Sequence, residues 1–340
     1  MKSYLYFDIV TSYPLRIQKE NKYVQLNLET ILSKACELYA KLLKVKQRNI
    51  ILTPCPYYSI FELILSAYTH FDQSIFICRG KYDNTVSFFE NFSALGYNVR
   101  IKLGYGSHAA EEESLEEIRK GNNISFMPHV YPENGFKSDL GLVYDVCKAY
   151  NNILIVDATY SIGAIKINTN RLDVLCAESN HWLMSPPAAG VIYVSDKIIK
   201  QMTPKFIKLY IDRNPTPSYF TWLHPYLAMY DALNKSLSSI LEEGIDNIEK
   251  RVLSLTQWII DDLGINPKIK ILTPSSKRRR AGIVAFSGEF DASKLQKYLT
   301  KKKIIISREN RNLIISVHYR HTEEEIEKLI LTIREGLRQI

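Results

Sequence analysis

Between Leu28 and Val194 short, continuously apolar runs alternate with longer stretches whose apolar residues recur at three- and four-residue spacing. The runs are Ile50–Thr53, Ile75–Cys78, Val99–Leu103, Ile124–Met127, Ile153–Val156, Val174–Ala177 and Val191–Val194. Apolar residues at successive positions, rather than at every second one, suit strands covered on both faces, as in a mainly parallel sheet. The stretches between them (28–43, 60–68, 85–95, 113–119 and 138–150) have helical spacing, with Ser138 placed to cap the last. Strand and helix in turn predict an α/β domain.

The pattern changes after the seventh run. From Tyr219 to Leu263 it is helical throughout, as in a connector. A strand (282–287), a helix (292–299), two strands (304–307 and 313–317) and a last helix follow. Thr322 and Glu325 form a capping-box pair ahead of Ile326, Leu329, Ile330 and Ile333. The expected organisation is an N-terminal arm over 1–20, a large α/β domain with its connecting helix over 21–250, and a small α+β domain over 251–340. A chain of 340 residues is long enough for both cores.

Composition removes several classes. With 46% hydrophobic and 24% charged residues, 14 Gly and 13 Pro, the chain is neither collagen-like nor disordered. No apolar run approaches the ~18 to 20 residues of a spanning helix. Met1–Asp8 lacks the apolar core of a secretory signal. The five cysteines are scattered, without a CxxC pair to suggest zinc, which predicts reduced thiols and a cytoplasmic location. Cys55 alone lies in a Pro-rich turn, so any cysteine chemistry would fall to it. The net charge of +8 gathers in Lys277–Arg280 and Lys301–Lys303, without interleaved aromatics or a nucleic-acid motif. Both clusters read as solvated, one in a loop and one on a strand edge, and neither nucleic acid nor membrane is expected as a partner.

Asp157 ends the run Ile153–Val156, and the carboxyl ends of parallel strands form the rim where α/β proteins bind ligands. A carboxylate there serves either a site or the turn that follows.

The segment Val156-Asp-Ala-Thr-Tyr-Ser-Ile-Gly163, followed by His181-Trp-Leu-Met-Ser-Pro-Pro-Ala-Ala-Gly-Val-Ile-Tyr-Val194, resembles the class V aminotransferases of the fold type I pyridoxal-phosphate enzymes. Their pattern is V-D-A/G-x-x-S-x-G, then a Lys some two dozen residues on, followed by a Pro- and Gly-containing turn and L-Y-V. Asn122–Gly135, Asn214-Pro-Thr-Pro217, Glu242–Gly244 and Leu313–Thr322 resemble further blocks, in order, of the alanine–glyoxylate and serine–glyoxylate branch. The resemblance implies a fold type I large domain, a homodimer, a small-molecule substrate and a pyridoxal cofactor. Asp157 matches the carboxylate paired with the pyridine nitrogen, which keeps the ring an electron sink. Tyr82 takes the place of the aromatic or His over the ring face, and Tyr160 that of the residue at the ring hydroxyl. Thr216 matches the Thr that reaches the phosphate of the neighbouring subunit's site. Arg213 and Ser179 are placed to add phosphate contacts.

Departures from the pattern limit the chemistry. His181 stands at the Schiff-base Lys position, and an imidazole forms no imine. Ile314 stands where the family has the substrate-carboxylate Arg. The phosphate-cradling turn reads Pro54-Cys-Pro-Tyr-Tyr-Ser59, and prolines carry no N–H. Pro132 stands near a usual Asn. Ordinary α-amino acid transamination is therefore not expected. One reading is an enzyme that holds PLP or PMP noncovalently, with His181 as acid/base; some sugar dehydratases of this superfold carry a His at the same position. A second is a cofactor-free pseudoenzyme acting as a binding or regulatory dimer. The third is an altered reaction on another phosphorylated ligand in the same pocket.

Overall fold

The computed structural model describes residues 5–8, 28–67, 74–79, 86–104, 106–121, 124–201 and 223–340. Each expected run in the first part is a strand. β2 (Ile50–Thr53), β3 (Ser74–Arg79), β4 (Asn98–Leu103), β5 (Ile124–Pro128), β6 (Ile153–Asp157), β7 (Val174–Ala177) and β8 (Gly190–Val194) form one sheet in the order β2-β8-β7-β6-β5-β3-β4. The pairs from β7 to β4 are parallel, and β8 runs antiparallel to both neighbours. Both faces are covered, which is why the runs do not alternate. Ile155 joins Ile51, Ile77 and Phe126 on one face, while Leu154 and Val156 join a core on the other. That second core includes Leu32, Ala35 and Tyr39 of α1 (Leu28–Leu43) and Tyr230, Leu233 and Leu237 of the helix Leu227–Glu243. This is an α/β fold of the fold type I kind.

The remaining helices of this part are α2 (Pro56–Ala67), α3 (Val86–Ala94), α4 (His108–Arg119), α5 (Leu140–Ala149) and α6 (Asp196–Ile199). Asp139, not Ser138, caps α5: its side chain accepts from Leu142 N–H, while the Ser138 hydroxyl donates to Pro128 C=O. The connector is two helices, α7 (Leu227–Glu243) and α8 (Ile245–Gly264), broken at Gly244 with φ of 81°. No helix among the described residues is long and apolar enough to cross a membrane.

A second sheet has the order β1-β11-β12-β10-β9, built from β1 (Leu5–Phe7), β9 (Ile269–Ile271), β10 (Ile283–Gly288), β11 (Ile304–Glu309) and β12 (Asn312–Ser316). Helices α8, α9 (Ala292–Lys301) and α10 (Glu323–Gln339) share its core. The expected capping box opens α10, with Thr322 Oγ1 accepting from Glu325 N–H and Glu325 Oε2 from Thr322 N–H. Leu5–Phe7, assigned by sequence to an arm, runs parallel to β11 with Phe7 buried in this core.

Neither basic cluster lies as expected. Lys301 ends α9 and Lys302 follows it, both exposed, at a helix end rather than on a strand edge. Lys277 and Arg278 are solvated, but Arg280 is fully buried, its guanidinium donating to Ser275 C=O and Gln257 Oε1. Arg279 pairs with the buried Glu111 at 2.8 Å, whose other oxygen accepts from Asp139 N–H. A buried carboxylate requires a cation and further donors, so this loop ties the second sheet to the first.

Candidate functional site

Asp157 lies where β6 ends, 2% exposed, beside the end of β7. Its carboxylate is divided between two tasks. Oδ1 accepts from Thr159 N–H at 2.9 Å and so caps the turn 157–163. Oδ2 accepts the Tyr57 phenol at 2.9 Å. The turn closes through Ile162 N–H to Ala158 C=O and ends at Gly163, whose φ of 80° suits glycine.

The connection from β7 to β8 carries the other sequence-assigned groups. Glu178 N–H donates to Thr159 Oγ1 at 3.2 Å, joining the two segments. His181 is 5% exposed; its Nε2 lies 3.4 Å from Glu178 Oε2, and its ring packs against Tyr160 with centroids 4.9 Å apart. Ser179 is buried with its hydroxyl towards Pro186 C=O at 3.4 Å. Asp157, Tyr160, Ser179 and His181 are thus brought into one linked set.

The second sheet holds this connection from the far side. The Trp182 indole donates to Val317 C=O at 2.8 Å, and His318 Nε2 donates to Trp182 C=O at 3.0 Å. A carbonyl only accepts, so Nε2 carries the proton. Burial pushes the His318 pKa down to about 3, keeping the ring neutral. Gly282 leaves room for the indole: a Cβ there would lie 2.7 Å from Trp182 Nε1. Ile314 is buried in the same cluster as Trp182, Ile283 and Ala285, with Tyr160 packed at its edge. An apolar wall therefore stands where the resemblance places an arginine.

The turn before α2 completes the rim. Cys55 is half-buried, and its N–H is taken by Thr53 Oγ1 at 3.1 Å, an atom 2.6 Å from Ser59 Oγ. Pro56, the first residue of α2, sits against Gly190, where a Cβ would come within 2.4 Å of its Cγ. Tyr57 follows, buried, and crosses to Asp157. Sequence reasoning missed Tyr57. The signal was a large aromatic at the second helical position, immediately after a proline fixed at helix entry. Tyr82, Arg213 and Thr216 lie outside the described residues. Pro132 is half-buried in the segment after His129, whose N–H donates to Asp157 C=O.

Residues 22–329 match the family described as Aminotransferase class-V. The chain belongs to the class-V aminotransferases. Among curated relatives, an uncharacterized aminotransferase of Methanocaldococcus jannaschii is 29% identical over 46% of this chain and 43% of its own. Serine–glyoxylate aminotransferase of Methylorubrum extorquens is 29% identical over 48% and 47%. The matched stretches thus span less than half of those two proteins. An uncharacterized aminotransferase of Schizosaccharomyces pombe is 26% identical over 78% of this chain and 71% of its own. In fold, this class-V chain is similar to an alanine–glyoxylate aminotransferase from Nostoc, with a TM-score of 0.78, 17% identity, and 99% and 96% of the two chains covered. An apo cysteine desulfurase from Thermococcus onnurineus gives 0.77, 15%, and 99% and 95%.

Proposed function

We propose that this class-V aminotransferase binds pyridoxal or pyridoxamine phosphate without a covalent link and uses His181 as acid/base in a non-standard reaction on a small metabolite. Its cofactor domain is residues 21–250, its small domain 251–340, and it works in the cytoplasm as a homodimer. The observation that carries this reading is the linked set Asp157–Thr159–Glu178–His181: a buried anionic acceptor at a strand end, joined to an imidazole on the neighbouring strand connection.

The donor set fits the ring end of the cofactor. Tyr57 already demonstrates that Asp157 Oδ2 takes a proton donor carried on a six-membered aromatic ring. The turn 53–59 offers little to a phosphate, since Pro54 and Pro56 have no N–H and that of Cys55 is engaged. Phosphate contacts therefore fall to Ser179, Arg213 and Thr216, the last two serving the neighbouring subunit's site. When bound, the cofactor supplies an electron sink. Asp157 would hold the ring nitrogen protonated, Tyr82 would cover a ring face, and Tyr160 would meet the ring hydroxyl. His181 accepts and returns a proton on the reacting side, with Glu178 fixing the imidazole and sharing its charge. The apolar wall at Ile314 favours substrates without an α-carboxylate.

The test is an absorbance titration of the purified protein with each cofactor, with His181→Asn alongside. The variant should keep cofactor binding and lose about 10² to 10⁴-fold in turnover. Unchanged turnover would remove His181 from the reaction. One observation favours a cofactor-free binding dimer instead: the phenol on Asp157 beside a turn in which two prolines carry no N–H. Absence of any spectral change would select it.

A further inference from the structure

We propose that Tyr57 is an internal occupant of the cofactor site, a specificity-determining residue that a ligand displaces from Asp157 in order to bind. The inference rests on the cofactor reading above and adds a residue to which neither the family pattern nor the sequence assigns a role.

The phenol donates to Asp157 Oδ2 at 2.9 Å and lies 3.4 Å from Thr159 Oγ1, while Thr159 N–H holds Oδ1. Both of these contacts to Asp157 come from neutral donors. A buried carboxylate without such partners would be costly, so the phenol stabilises the ligand-free state. It reaches this carboxylate from the first turn of α2, 100 residues away in sequence. The turn from which it comes is the one that cradles phosphate in the pattern this chain resembles, so the phenol spans from the phosphate end to the nitrogen end of the expected site.

The backbone under Tyr57 is fixed. Pro56 is seated against Gly190, whose own missing Cβ is what admits the proline ring. The helix start is thus packed against β8, and rotation of the Tyr57 side chain is the smallest movement that frees Asp157. Such an arrangement discriminates among ligands. A charged N–H donor makes a stronger bond to a carboxylate than a neutral phenol does, so a pyridinium displaces Tyr57, whereas a neutral ring leaves it in place.

The experiment compares the full-length protein with Tyr57→Phe by titration with pyridoxamine 5′-phosphate, read by the ligand's own fluorescence and by equilibrium dialysis. Tyr57→Leu, which also keeps the apolar surroundings, serves where the Phe variant fails to fold. Removing the competitor should tighten binding about tenfold, the scale of one hydrogen bond to a charged group. The ligand-free variant should also melt earlier than the wild type and recover when the ligand is added. Wild-type binding with equal or weaker binding by both variants would overturn the inference and leave the cofactor reading intact. Binding by neither wild type nor variants would overturn the cofactor reading, and this inference with it.

Discussion

The connection from β7 to β8 and the turn before α2 border the same end of the large sheet, yet they are built differently. The first carries His181 and is held from outside, by Val317 and His318 on Trp182. The second reads Pro54-Cys-Pro-Tyr-Tyr-Ser59 and is held by Thr53 on Ser59 and by Pro56 against Gly190 of β8. The first is thus fixed through the second sheet, the second through its own residues and β8. That difference predicts that disturbing the second sheet moves the first region and leaves the second in place.

Acid should disturb the clamped connection most. His318 holds it, and burial lowers its pKa to about 3; His129, beside Asp157, is lowered to about 3 in the same way. Below pH ~6.5 the unfolded chain takes up protons that these folded rings refuse. Their contribution is therefore constant above that pH and falls as pH drops towards 3, by about 2 kcal/mol for each ring between pH 7 and 5. Urea unfolding at the two pH values measures the loss. His318→Gln, which keeps a donor for Trp182 C=O, should remove its own share of the pH dependence. An unchanged dependence would show that His318 is not held neutral by burial.

A smaller effect should follow from Gly282→Ala. The added Cβ would meet the Trp182 indole at 2.7 to 2.9 Å, and overpacking of this kind costs about 1 to 3 kcal/mol. Stability measured by urea should fall by that amount, and turnover should fall with it because His181 moves with its neighbour. Affinity for pyridoxamine 5′-phosphate, proposed above to depend on Tyr57, should change little. A change in affinity as large as the gain expected of Tyr57→Phe would erase the distinction between the two regions.

The strands of the large sheet were legible because burial on both faces writes itself into local sequence, and Asp157 was legible because it ends one of them. What was not legible depends on distant partners. Three residues, Leu5–Phe7, carry too little pattern to show that they pair with β11. Arg279 and Arg280 belong to a charge run that reads as solvated until Glu111 and Gln257 are brought to it by the fold. Tyr57 is one of 22 tyrosines, and only the structure shows which of them meets Asp157. The cap of α5 was missed by one residue because Ser138 and Asp139 are both good caps by type, and the serine hydroxyl was needed at Pro128 C=O.

In the proposed reading, histidine at position 181 leaves the cofactor without a covalent anchor. It is tested most directly by loading the protein with pyridoxal 5′-phosphate, treating it with borohydride and mapping the peptides by mass. The expected result is no stoichiometric pyridoxyl adduct on any peptide, including the one containing His181, and release of the cofactor on denaturation. A stoichiometric adduct on one lysine, such as Lys166 or Lys197, would contradict it and place the reactive amine elsewhere in the chain.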